Sequence, residues 1–97
     1  MKTFLLALLF SSNVMAASCE DIANLSKTIE TKRQEGVTLV QMMSVEGINQ
    51  VKFIVLEAYK EPMMMGKEGK ERVIDEFQNK IYGECLKVQE KLNETNH

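Results

Sequence analysis

The apolar positions of this chain recur at steps of three and four, not two. The clearest run is Ile74, Phe77, Ile81, Cys85, Val88 and Leu92, spaced 3, 4, 4, 3 and 4. Such steps hold side chains within a narrow arc of a helix, as one face turned to a core requires. The run predicts a long last helix from about Lys67 to Leu92. Glu68/Arg72 and Glu76/Lys80 lie on its outer side, acid before base at i, i+4. Gly83 is a weak spot in that helix and a place where another helix can approach closely.

Three further segments carry the same period. Cys19, Ile22, Ala23, Ser26 and Ile29 share one side of a first helix over Cys19 to Gln34, with Glu20, Lys27, Glu30 and Lys32 elsewhere. Ser18 is its N-cap, Asp21 follows three residues on, and Gly36 is its stop. Thr38-Leu39-Val40-Gln41 is a capping box opening a short helix that ends near Gly47, with Val37 able to staple onto Met42. Asn49 is placed to cap a third main helix, Gln50 to Lys60, whose stripe is Val51, Ile54, Val55, Ala58 and Tyr59. Pro62 ends it. Sustained strand-type alternation is absent. The expected fold is all-α, a small bundle of three main helices plus one short helix, stapled by one disulfide.

The N-terminus differs in kind. Lys2 precedes the apolar run Thr3–Phe10, which Ser11, Ser12 and Asn13 interrupt before Val14-Met15-Ala16. This is the pattern of a secretory signal peptide over 1–16, too short to span a bilayer. The division is then 1–16 signal peptide, 17–92 helical domain and 93–97 flexible polar tail. A periplasmic or secreted location follows, where thiols oxidise, so Cys19 and Cys85 are expected to pair. The alternative is acylation of Cys19, since Ala16-Ala17-Ser18-Cys19 loosely matches a lipobox, although Ala16 stands where Leu is usual. In that case Cys85 stays a lone thiol.

Charge narrows the function classes. Removing Lys2 with the leader leaves 11 basic and 14 acidic residues, interspersed. That balance suits neither nucleic acid nor anionic lipid. His97 is the sole histidine, so no Ser–His or Cys–His pair can be built in the domain. Asp75/Glu76 and Glu57/Glu61 are better explained as solvated faces than as paired catalytic acids. A redox role for the cysteines lacks the close spacing of a Cys-x-x-Cys motif. No enzymatic activity and no cofactor are expected.

The methionines are the distinctive composition. Met42, Met43, Met63, Met64 and Met65 account for five of seven. Three in a row between Pro62 and Gly66 cannot all point inward. Methionine is over-used where a surface grips apolar partners, and thioethers can also hold Cu(I). The candidate partner-binding set is Met63, Met64 and Met65 with Tyr59, and Arg33 as polar anchor. Arg33 is equally explained by its place at a helix C-terminus.

Cys19, Arg33-Gln34-Glu35-Gly36, Ala58-Tyr59-Lys60-Glu61-Pro62, Phe77 and Cys85 together resemble a set of small exported one-disulfide helical proteins of Gram-negative bacteria and their phages and prophages. The resemblance spans nearly all of the mature chain. It implies export, a helical fold and a disulfide, and brings no catalytic residue. Cys19-Glu20-Asp21 is also similar to the start of the small periplasmic acid-stress chaperones, with Ser18 where those carry Trp. The sequence thus supports an interaction protein binding an envelope or secreted partner, with an acid-stress holdase, a Cu(I) carrier and a homo-oligomer as alternatives.

Overall fold

A computed structural model describes residues 18–95; the signal-peptide reading of 1–16 lies outside them. Four α-helices follow in order: α1 (Cys19–Gln34), α2 (Leu39–Met43), α3 (Lys52–Ala58) and α4 (Lys67–Thr95). A 3-10 turn, Ile48–Val51, precedes α3. No strand occurs among the described residues. The fold is an all-α small bundle, closed by a Cys19–Cys85 disulfide.

Local chemistry explains the boundaries. The Ser18 hydroxyl accepts the Asp21 amide at 3.1 Å and starts α1. Gly36, at φ +100°, ends it. Its amide donates to Arg33 O, and the Val37 amide to Lys32 O, so the last carbonyls of α1 are satisfied by a left-handed turn. Both arms of the Thr38/Gln41 capping box are present. Val37 packs on the core that holds Met42.

Two boundaries differ from expectation. α2 stops at Met43, and Gly47 at φ +85° turns the chain into the 3-10 segment. Asn49 therefore lies inside that turn and caps nothing, while α3 begins at Lys52 without a side-chain cap. Ile48 is buried. Anchoring it there takes the chain into the tighter turn. The core gathers Ile29, Met42, Ile48, Ile54, Val55, Ala58, Phe77 and Ile81.

α4 runs antiparallel to α1. Their ends are tied by Cys19–Cys85 (Cα–Cα 5.6 Å) at one pole and by Lys70 Nζ to Gln34 O at the other. At 1.5 Å per residue, α1 is about 24 Å long and α4 about 43 Å, so residues 86–95 outrun the bundle. The six-residue stripe is correct as a helical face, but only part of it is core. Val88 and Leu92 are each 57% exposed, and Val73 is buried instead. Helix also continues through Thr95. A Cβ on Gly83 would meet nothing within 4 Å, so no helix approaches closely there. Lys80 does not serve Glu76; it reaches across to Glu57 and Glu61.

The disulfide leaves no thiol for acylation, which removes the lipobox alternative. Among the described residues no helix is long and apolar enough to cross a membrane.

Candidate functional site

The segment between α3 and α4 is organised by one side chain, Gln34. As the last residue of α1 it points inward and is buried. Its Nε2 donates to Glu30 Oε2 at 2.8 Å and to Pro62 O at 2.9 Å. Its Oε1 accepts the Met64 amide at 3.0 Å. A flipped amide would face the wrong partners at both ends, so the orientation is determined. Its main-chain oxygen accepts Lys70 Nζ from the first turn of α4. One residue thus holds α1, both sides of Met63, and α4.

Arg33 and Tyr59 extend this frame. The guanidinium lies 5.0 Å from the centre of the Tyr59 ring and donates to Glu61 O. The Tyr59 hydroxyl donates to Val37 O. Burial raises its pKa. Both residues expected as partner contacts are therefore committed to neighbours inside the chain. They shape the loop from behind. The Arg33-Gln34 step and the Glu61-Pro62 step, far apart in sequence, meet here.

The three methionines divide. Met65 is 95% exposed and Met63 42%. Met64 is half-buried, its side chain lying over Gly69, where an added Cβ would stand 3.0 Å from Met64 Cε. Met65 also borders a shallow cleft of about 340 Å³ shared with Thr31, Glu35, Lys67, Glu71 and Ile74. The apolar surface presented is thus Met63 and Met65, with Met64 as the peg that holds the loop on α4. No group of three or more His, Cys, Asp or Glu capable of holding a metal occurs among the described residues.

Beneath the loop sits the residue that periodicity misplaced. Glu30 was expected off the apolar side of α1; it is fully buried. The buried face runs Cys19, Ala23, Ser26, Glu30, Gln34, one helical row, with Ile29 beside it. Oε1 of Glu30 and Nε of Arg33 are buried with no hydrogen-bond partner. Burial pushes the Glu30 carboxyl up to about 7, Glu61 adding to this while the Gln34 hydrogen bond and Arg33 oppose it. The available signal was the spacing of Glu30 and Gln34, which lie four apart in the same row as Cys19 and Ser26. By contrast Glu57, near the surface, is lowered by its hydrogen bond and charge pairing with Lys60 and by Lys80.

Compared with protein-family models, curated proteins and solved structures, the chain matches none. The reading of this site therefore stands on its geometry.

Proposed function

We propose that this is a small periplasmic or secreted interaction protein, without enzymatic activity, that binds an envelope or secreted partner through the Met63–Met65 loop. One observation carries the reading. A loop bearing two exposed thioethers is pinned by Gln34, Arg33 and Met64 rather than left to collapse. Pinning cuts the ordering cost of binding, and polarizable methionines adapt to an apolar partner face. The disulfide suits an oxidising compartment. A phage or prophage origin, suggested by the resemblance, would suit a modulator of a host envelope process.

The acid-stress holdase reading requires acid to loosen the fold. Glu30 works the other way through mild acid, because protonation removes a buried charge. The interaction reading is accordingly preferred.

The test compares envelope-protein binding by the oxidised domain and by Met63→Ala/Met65→Ala. Both side chains are exposed, so melting should be unchanged while binding falls at least tenfold. Equal binding by the folded variant would overturn the assignment of the loop.

A further inference from the structure

The frame behind the methionine loop holds two atoms that the fold leaves unspent. Among the described residues, the buried side-chain atoms without a hydrogen-bond partner are one acceptor, Glu30 Oε1, and one donor, Arg33 Nε. They belong to side chains three apart on α1, and such side chains are neighbours on a helix. Gln34 cannot serve Oε1, because both hydrogens of its Nε2 are engaged, by Glu30 Oε2 and Pro62 O. Arg33 spends itself on the loop instead. One outer nitrogen donates to Glu61 O at 3.3 Å, and the guanidinium lies 5.0 Å from the centre of the Tyr59 ring. That bond is long and its acceptor is neutral, whereas a carboxylate accepts a shorter, charge-assisted bond.

We propose that Glu30 is a proton-operated latch on the methionine loop: when its carboxyl gives up its proton to solvent, Oε1 draws Arg33 off Glu61 O and the Tyr59 ring, and the loop loses that pin. An ionised carboxylate oxygen with no donor beside it is costly in a buried site, and Glu30 is fully buried. Arg33 Nε is the unspent donor within reach. The charged and titratable groups around Glu30 are Arg33 on its own helix, the Tyr59 hydroxyl at the end of α3, Glu61 in the loop, and Lys70 and Lys80 on α4; α2 carries none. The others are already committed. The Tyr59 hydroxyl donates to Val37 O, Lys70 reaches Gln34 O, and Lys80 reaches the Glu57 and Glu61 carboxylates. Glu61 opposes a second negative charge. Burial holds the Glu30 carboxyl at about 7, so the latch is closed in mild acid and opens as pH rises through neutrality. Partner binding through Met63 and Met65, which rests on the function proposed above, weakens over the same interval.

The test is nuclear magnetic resonance of the oxidised chain, titrated from about pH 5 to about pH 8. The Arg33 Nε–H signal should move downfield with the midpoint of the Glu30 carboxyl, while that of Arg72, the other arginine, stays in place. Backbone amide order parameters at Met63 and Met64 should fall over the same range from about 0.85 to about 0.6. Glu30→Gln should abolish both changes and keep the loop ordered throughout. Arg33→Met should give the looser loop at both ends of the range. An Arg33 signal indifferent to pH, a loop equally ordered at both ends, a Glu30→Gln chain whose Arg33 signal still titrates, or an ordered loop in Arg33→Met would each overturn the proposal. These readouts need no partner, so failure of the latch and failure of the interaction reading are told apart.

Discussion

Replacing Glu30 by Gln should make the stability of this domain nearly independent of pH between 5 and 8. The carboxyl is fully buried and its pKa is raised from 4.5 to about 7. A raised carboxyl means that the native state binds the proton more tightly than the unfolded chain. The stabilisation is therefore complete below pH 4.5 and is lost as pH rises through about 7. A shift of that size corresponds to roughly 3 kcal/mol, most of which falls between pH 5 and pH 8. Glutamine keeps an oxygen for the Gln34 amide and removes the buried charge. The Gln34, Arg33, Tyr59, Glu61 and Lys70 surroundings are unchanged. Urea unfolding followed by circular dichroism, with the disulfide intact, measures both proteins. The wild type should lose roughly 2 to 3 kcal/mol from pH 5 to pH 8, and Glu30→Gln should hold nearly level, exceeding the wild type at pH 8 by a similar amount. A variant whose profile parallels the wild type would refute the assignment of the slope to Glu30. Below pH 4.5 the sign reverses, because the lowered Glu57 contributes stability that is lost as it protonates.

Reducing the disulfide should lower unfolding free energy by about 4 kcal/mol, the loop-entropy value for its span, as measured by denaturant midpoint with and without reductant; a loss below about 1 kcal/mol would refute the loop-entropy reasoning. Gly83→Ala, with open space around the new Cβ, should stabilise by about 1 kcal/mol. Gly69→Ala should fall short of that gain because the new methyl displaces Met64, and the shortfall should shrink in a Met64→Ala background; additive effects in that cycle would remove Met64 as the peg. Under mild peroxide, peptide mapping should find Met65 oxidised first and the buried Met42 last among the described methionines, and the reverse order would contradict the loop's exposure.

Much of the fold was legible because it is written in periodicity and caps. The stripe of α4, the Thr38 capping box and the Gly36 stop all depend on residues close in sequence, and all three appear in the structure. The misses have separate physical causes. Gln34 and Glu30 are polar, so a search for apolar period passes over them, yet a buried polar pair is what fastens the loop. Val88 and Leu92 were placed in the core because a wheel gives direction and says nothing about length. Only the 16 residues of α1 against the 29 of α4 show where the core stops. Arg33 and Tyr59, expected as contacts for a partner, bond the chain's own backbone at Glu61 and Val37, a long-range pairing that no local pattern in the sequence displays.

The disulfide also decides how the molecule carries load. The chain enters the bundle at Ser18 and α4 leaves it at the same pole, with Cys19 and Cys85 joined between them. Tension applied between residue 18 and residue 95 passes from α1's first residue through the sulfur bridge directly into the tail of α4. Residues 20–84, with the whole core and the methionine pole, lie off that path. A copy held at one end and pulled at the other would stretch only its last helical turns, and its loop would keep its shape under force until the bridge is reduced.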